Sequence, residues 1–446
     1  MISKPMRNRL CFGYVSLVTC IAIGFIYRIV LKLSLNIHFF RSNGANSFSF
    51  IDFVAFYSAG KIVLSDARAN IYQFATQLAA YNKTLTESLG AKISVDHIPL
   101  GQSVPWFFAM LAPFSLMPIL VSYIAWCAAG LSLSGFWLWK ILRQNGYTKL
   151  FSALFLLGVA GSYPYEHLMD DGQNSAFILA ALAFMLYNWL RGKDAASGVG
   201  LALMSIKPQY AVFLVIPVIA MRRWRILASA AATGTVLVIM SALIFGVKTL
   251  ADYPALLHQT EKTDPAVFPT WMVSIRGPLS LLMNLDLALN ISTITFAVAF
   301  LAMLGFWLRY VVKASQNKIR IATAITLLVC MLTSPHTHIY DLVIFAAAVA
   351  IVPMRSFFET QDLPTPAVLW SRLMVLYPLL SFCIYLLTEI PAFMPTGHEI
   401  LGVGFFILNC VLLAILISYY RAADRLPASA LYVAAGTADK TADGQS

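Results

Sequence analysis

Apolar runs of membrane-spanning length recur along almost the whole of this 446-residue chain, and they constrain its fold more than any other feature. A helix needs about 20 apolar residues to cross the hydrocarbon core, and every backbone polar group inside that core must be satisfied internally. Charged residues make up only 11% of the chain, which leaves too little polar surface to coat a soluble globule. The sequence therefore predicts an all-α polytopic membrane protein.

The domain organisation follows from the absence of any polar, linker-like stretch between the apolar runs. We expect a single transmembrane domain over residues 1–426 and a disordered cytoplasmic tail over residues 427–446. The net charge of +11 arises from short basic clusters between apolar runs, so we expect no nucleic-acid partner. The six cysteines show no CxxC spacing, so we expect no disulfide framework, no metal site and no cofactor.

The basic clusters also orient the chain in the membrane. Lys4, Arg7 and Arg9 favour a cytoplasmic N-terminus, and the first span, at about residues 11 to 33, is expected to remain as an anchor. The next basic cluster, residues 140–149, lies inside only if the apolar run before it holds one span. We therefore expect a re-entrant or interfacial helix over Val104–Met117, followed by a single span.

About twelve spans with both termini in the cytoplasm result from this rule. Two large outer loops are predicted, at about residues 34 to 103 and 247 to 290, and the second carries a short interfacial helix from Pro278 to Leu289. The spans are predicted at about residues 11–33, 120–140, 150–162, 174–190, 196–206, 209–221, 226–246, 291–312, 320–333, 339–353, 369–388 and 400–419.

Ionisable residues concentrate at the predicted outer ends of the spans. Such residues are costly to desolvate near a membrane, and they commonly mark functional sites. The two halves of the chain show no internal repeat or matched pair of broken helices, which weakens a secondary-transporter interpretation and favours an enzyme at the outer leaflet. These residues are Asp52, Glu166, Asp170, Asp171, Lys207, His336, His338 and Asp341.

Five segments, in order along the chain, resemble the signatures of the family 87 glycosyltransferases, which have the GT-C membrane fold. Val104-Pro105 departs from the two consecutive prolines that the family often has there. The segments are Asp52-Phe53-Val54-Ala55-Phe56-Tyr57-Ser58-Ala59-Gly60 continuing to Ala69-Asn70-Ile71-Tyr72, Val104 to Pro113, Gly172-Gln173-Asn174, Lys207-Pro208, and Ser334-Pro335 to Asp341.

The resemblance implies a polyprenyl-phosphate-linked sugar donor, a glycan or glycolipid acceptor on the periplasmic side, and inversion at the anomeric carbon. It also implies juxtamembrane helices in the first outer loop. We accordingly expect a glycosyltransferase of the bacterial inner membrane, with mannose as the inferred sugar. The alternatives are a flippase or transporter of a polyprenyl-linked sugar, and a non-catalytic assembly partner.

Asp52 is the candidate catalytic base, because a sugar hydroxyl is a poor nucleophile until its proton is removed. The alternative is structural: Ser49 and Asp52 have the S-x-x-D spacing of a capping box that opens a helix. Lys207 is the candidate cation for the donor phosphate, and snorkelling to lipid headgroups is its alternative. Arg276, His336 and His338 are weaker phosphate or sugar contacts; the two histidines alone could also be a fragment of a metal site.

Substrate hydroxyls need hydrogen-bonding partners, and a cluster of polar residues follows the span at 150 to 162. The alternative for its acidic members is a solvated loop with a helix N-terminus at Asp171. Tyr57 can stack on a sugar face, although interfacial aromatic belts explain such residues equally well. The predicted substrate-binding residues are Tyr57, Glu166, Asp170, Asp171, Gln173, Asn174 and Asp341.

Overall fold

The computed structural model describes residues 51–89, 101–263, 269–354, 364–388 and 397–425, together with parts of residues 16–27 and residue 98. Within these ranges every regular element is a helix. Five of the helices are long and apolar enough to cross a membrane, and several shorter apolar helices accompany them. The prediction of an all-α polytopic membrane protein is therefore confirmed.

The helices before the middle of the chain are α1 Ile51–Val63, α2 Phe74–Leu89, α3 Pro105–Ser115, α4 Ile119–Gln144, α5 Lys149–Ala160, α6 Tyr163–Asp171, α7 Ser175–Leu190, α8 Asp194–Leu203 and α9 Pro208–Ala220. Those that follow are α10 Trp224–Phe245, α11 Val247–Thr263, α12 Arg276–Leu282, α13 Leu285–Phe306, α14 Gln316–Thr333, α15 Phe345–Ile351, α16 Thr365–Thr388 and α17 Gly397–Ala422. Short 3₁₀ segments occur at Asp66–Asn70, Met204–Ile206, Pro269–Trp271, Ile339–Ile344 and Ala423–Arg425, and Trp307–Val311 is a π-helical turn that continues α13.

Helices lie at eleven of the twelve predicted spans. The first predicted span, residues 11–33, lies largely outside the described residues, as does the tail predicted to be disordered. Five of the matching helices have only 10–17 residues, so the number of complete crossings stays a prediction, as does the single domain over residues 1–426.

Long helices surround short ones in this bundle. α10 and α13 bury only 11% and 17% of their most apolar stretches inside the protein, which leaves apolar side chains for lipid contact. By contrast, α7, α14 and α15 are apolar and bury most of their side chains, as a helix without a polar face must. The centre of the protein is therefore built from helices shorter than those that face the membrane.

The helix predicted over Val104–Met117 is present as α3 and packs closely against α1. Pro105 occupies the first helical position, where its missing N–H costs nothing. A Cβ atom on Gly60 would lie 2.0 Å from the Ser115 Oγ atom, and Ser115 Oγ donates a 2.8 Å hydrogen bond to the Tyr57 carbonyl. This contact fixes α1, and with it the segment that carries Asp52, against α3.

The short interfacial helix predicted from Pro278 to Leu289 is wrong in its extent. α12 ends at Leu282, Met283 is extended, and α13 begins at Leu285 as part of a long apolar helix. The Asn284 side chain accepts a 2.8 Å hydrogen bond from the Leu287 N–H, which makes it the cap of α13. An asparagine cap followed by Asp286 in the first turn was the sequence signal for this break.

A labelling experiment tests the predicted orientation. We expect Gln144→Cys to stay unmodified by a membrane-impermeant thiol reagent added from the periplasmic side, because Gln144 ends α4 in the basic segment predicted to be cytoplasmic. Glu87→Cys, at an exposed position of α2 in the predicted first outer loop, is the matched control and should react. Both substitutions are made with the native cysteines replaced. Reaction at position 144 in intact cells would show that the predicted orientation is wrong there and in most of the later spans.

Candidate active site

Asp52 lies in the first turn of α1, in the predicted first outer loop and outside the predicted spans. Its Oδ2 atom accepts a hydrogen bond from Gln173 Nε2. Burial, and after it the negative charge of Asp171, raise the pKa of Asp52 to about 7, although the Gln173 hydrogen bond and the charges of Lys207 and His167 act in the opposite direction. A carboxylate with a pKa near neutrality suits a general base.

The capping-box alternative for Asp52 pairs it with Ser49. Ser49 lies outside the described residues. Among the described residues, the hydrogen-bond partner of the Asp52 carboxylate is the side chain of Gln173, 121 positions away in sequence. The carboxylate thus connects two distant segments.

Gln173 reaches Asp52 through a tight turn at the end of α6. Gly172 adopts the left-handed conformation, with φ of 67°, and Gln173 N–H donates a 2.9 Å hydrogen bond to the Leu168 carbonyl. A Cβ atom on Gly172 would lie only 2.5 Å from the Phe53 Cβ atom. A glycine is therefore required for this turn to pack directly beside Asp52.

Lys207 and Asp341 form a buried ion pair. Lys207 immediately precedes α9, and its ammonium contacts Asp341 Oδ1; its side chain is only 12% exposed, and that of Asp341 is completely buried. Asp341 Oδ1 also accepts a 2.5 Å hydrogen bond from Ser175 Oγ, and Oδ2 accepts a 3.2 Å hydrogen bond from the His338 N–H. This inward geometry does not support the alternative in which Lys207 only snorkels to lipid headgroups.

Aromatic and imidazole rings form a row beside this pair. His338 and His167 both stack near Tyr340, with ring centroids 5.3 Å and 5.9 Å away, and the Lys207 ammonium lies 4.7 Å from the centre of the same ring. Burial lowers the pKa of His338 well below its usual range, and neighbouring His336 and Lys207 lower it further. His338 is therefore a neutral hydrogen-bonding group at neutral pH.

Arg276 supports the loop that carries these histidines. Its guanidinium is buried and donates a 2.9 Å hydrogen bond to the Pro335 carbonyl. The backbone beside it pairs with the same loop, since Val273 N–H donates to the Thr337 carbonyl at 2.9 Å. The structure thus brings Arg276 close to His338, whose pKa it also affects.

The acidic residues predicted in a solvated loop lie instead on helix α6, so that alternative is wrong. Asp171 ends the helix rather than starting one, and Glu166 and Asp170 are buried. His167 and Asp171 are partly exposed, with His167 Nε2 3.5 Å from Asp171 Oδ2. The ligand atoms of His167, Asp170 and Asp171 all lie within 4.8 Å of one another, so this group is where a divalent cation can fit.

A comparison with protein-family models matches residues 104–335 to Glycosyltransferase family 87. The chain belongs to this family. The match confirms the resemblance that the sequence motifs indicated, and it covers Gln173, Asn174, Lys207 and Arg276. Among curated proteins, none matches the chain.

Several predicted site residues of this family 87 glycosyltransferase lie outside the matched segment, namely Asp52, Tyr57, His336, His338 and Asp341. Of these, Asp52, His338 and Asp341 meet matched residues in space. Tyr57 contacts the matched segment elsewhere: it is buried, and its hydroxyl donates a 2.8 Å hydrogen bond to the Met117 carbonyl.

Sequence analysis of the glycosyltransferase missed three residues of the site: His167, Ser175 and Tyr340. His167 and Asp171 are four positions apart, which places them on one face of a helix once α6 is recognised. Ser175 follows Asn174 at the start of α7 and bonds to Asp341. No sequence signal identifies Tyr340, which reaches the site only through the fold.

Proposed function

We propose that this family 87 glycosyltransferase is an inverting GT-C enzyme that transfers a monosaccharide from a polyprenyl-phosphate donor to a hydroxyl of an acceptor glycan or glycolipid. Mannose is the sugar we propose. The reaction takes place, in this proposal, on the periplasmic side of the bacterial inner membrane, and both termini are cytoplasmic.

One observation carries the proposal: a carboxylate held by a hydrogen bond from Gln173 shares its electrostatic environment with a largely buried ammonium. Asp52 is the carboxylate, and the charge of Lys207 acts directly on its pKa. A transfer from a lipid phosphate needs both groups, since the acceptor must lose a proton while the leaving phosphate gains negative charge.

The proposed reaction is a single displacement. The acceptor oxygen attacks the anomeric carbon, and Asp52 takes the hydroxyl proton as the new C–O bond forms. The bond from the anomeric carbon to the phosphate oxygen breaks, and its electron pair leaves with the polyprenyl phosphate. Attack on the face opposite the leaving group inverts the anomeric configuration. The phosphate is a weak base, so it needs a neighbouring cation rather than a proton donor.

Lys207 is proposed to provide most of that positive charge, with Arg276, His336 and His338 as further contacts to the donor phosphate. The ion pair with Asp341 leaves the Lys207 ammonium with N–H groups to spare, because an ammonium has three. Its second neighbour, Ser175 Oγ, is 3.4 Å away.

The position of Asn174 in the site supports a role for its side chain in sugar binding. It is buried and lies between Gln173 and Ser175, which bond to the two halves of the site. Its Oδ1 atom has no hydrogen-bond partner in the described part of the chain. A buried acceptor left open is costly, and a sugar hydroxyl can supply the missing donor. Glu166, Asp170 and Asp171 are proposed as additional contacts to substrate hydroxyls.

A transfer assay with purified protein tests the proposal. The protein in lipid nanodiscs is incubated with polyprenyl phosphates carrying radiolabelled mannose, glucose, galactose or arabinose, together with envelope glycolipids from the producing cells. We expect label to move from one donor to the glycolipid fraction, with inverted anomeric configuration by NMR. Translocation of the donor across liposomes without transfer would favour a flippase, and neither activity would favour an assembly partner.

A further inference from the structure

We propose that Gln173 is a positioning residue for the Asp52 base: its amide N–H occupies Oδ2 and leaves Oδ1 to take the proton of the acceptor hydroxyl. The inference rests on the proposed function, because it assigns a task within that reaction. Gln173, predicted from the sequence to bind substrate, is thereby assigned to the support of Asp52 instead.

The Gln173 side chain is held in one orientation. Gln173 is buried, and its Oε1 atom accepts a 3.4 Å hydrogen bond from the Asn174 N–H. This contact turns the amide so that Nε2 faces Asp52, to which it donates. The two ends of the amide are thus distinguished by their partners.

The backbone next to Gln173 is also restrained. Trp126 Nε1 donates a 2.9 Å hydrogen bond to the Gly172 carbonyl, and the turn at Gly172 packs on Phe53, the residue after Asp52. The donor and the carboxylate are therefore anchored to each other twice, once through side chains and once through adjacent residues. Rotation of the carboxylate loses the Gln173 hydrogen bond.

The two oxygens of the Asp52 carboxylate have different surroundings. Oδ2 is bonded to Gln173, whereas Oδ1 has no hydrogen-bond partner among the residues that the structure describes. A proton can therefore arrive at Oδ1 without disturbing the bond that holds Oδ2. Such support of a catalytic group by a fixed neighbour keeps it in a productive geometry.

The groups around Asp52 determine how its pKa responds when Gln173 is replaced. Asp171 and His167 face it from α6 and Lys207 from the start of α9, while Tyr81 on α2 and Tyr340 also interact with it electrostatically. None of these changes when Gln173 is replaced. The hydrogen bond from Gln173 favours the ionised carboxylate and lowers the pKa of Asp52. Its removal therefore raises that pKa, and a higher pH is needed to form the base.

The test is the pH dependence of sugar transfer for Gln173→Met and Gln173→Glu. Wild-type activity should fall as the pH drops through about 7, where Asp52 takes up a proton. We expect the acid limb of Gln173→Met to move up by about one pH unit, the value of one ordinary hydrogen bond. Gln173→Glu keeps the side-chain size but adds a negative charge beside Asp52, so its acid limb should move further.

Gln77→Leu is the matched control. Gln77 is a buried glutamine whose amide bonds to backbone groups of the described residues, donating to the Ile71 carbonyl at 2.8 Å and accepting from the Gly101 N–H at 2.8 Å. Its replacement should lower the melting temperature without moving the acid limb.

An unmoved acid limb in an active Gln173→Met enzyme overturns the inference and leaves the proposed function standing. A limb that moves equally in Gln77→Leu overturns it as well, because the shift would then report lost stability. If the wild type transfers no sugar from any donor at any pH, the proposed function itself fails, and the role of Gln173 fails with it. A shift confined to the two Gln173 variants supports the inference.

Discussion

Asp52→Asn is expected to lower the rate of glycosyl transfer by about two to four orders of magnitude, the usual cost of removing a positioned general base. The amide has the shape of the carboxylate but cannot take up a proton at neutral pH. Because an asparagine oxygen can still accept the Gln173 hydrogen bond, the variant should stay folded and should still bind its lipid donor. Turnover, donor binding and melting temperature are measured on one preparation.

The capping-box alternative makes the opposite forecast for the same variant. Asparagine also caps helices well, so activity would fall only slightly while stability would drop. Asp66→Asn is the matched control, since Asp66 is an exposed aspartate in the first turn of another helix in the same predicted outer loop. A stable Asp52→Asn protein that keeps more than about a tenth of wild-type turnover would rule out the general-base assignment.

Lys207→Ala is expected to weaken use of the donor far more than Lys207→Arg. An arginine retains a cation that can neutralise the leaving phosphate, whereas an alanine leaves that charge uncompensated in a site of low dielectric, at a cost of about 2 to 4 kcal/mol. The measurement is the ratio kcat/KM over a range of donor concentrations, with the acceptor held constant.

The buried ion pair complicates the alanine variant, because it leaves the Asp341 carboxylate buried without its cation. The double variant Lys207→Ala, Asp341→Asn removes this stranded charge. If the loss in donor use comes from the missing phosphate contact, the double variant should recover stability but not kcat/KM for the donor. Recovery of both would show that Lys207 serves only to neutralise Asp341.

The parts of the fold that depend on local sequence could be predicted. Apolar run length predicted most helix positions, and Pro105 marked the start of α3. The misassigned helix from Pro278 to Leu289 failed because average hydropathy does not register a single cap, and Asn284 breaks the helix despite apolar neighbours. Local polarity misled in the same way at α6, where crowded acidic side chains indicated a loop.

The site was predictable as a set of residues but not as a set of contacts. Asp52 and Lys207 stand out in sequence because charge is rare beside apolar runs. Their partners do not, since the Asp52 to Gln173 and Lys207 to Asp341 contacts join segments more than a hundred positions apart. Only the packing of helices shows that Asp341 faces a lysine rather than a substrate.

The short helices at the centre of the bundle bear on the depth at which the proposed reaction takes place. α7 and α9, at whose starts Ser175 and Lys207 lie, have 16 and 13 residues and so extend only about 24 and 20 Å, less than the hydrocarbon thickness of about 30 Å. We therefore expect the reactive centre to sit below the headgroup plane, walled from the lipid tails by the longer helices. In the proposed reaction, the polyprenyl chain of the donor stays among those tails. The acceptor hydroxyl must enter below the headgroup plane, which favours unbranched glycan ends over branched ones.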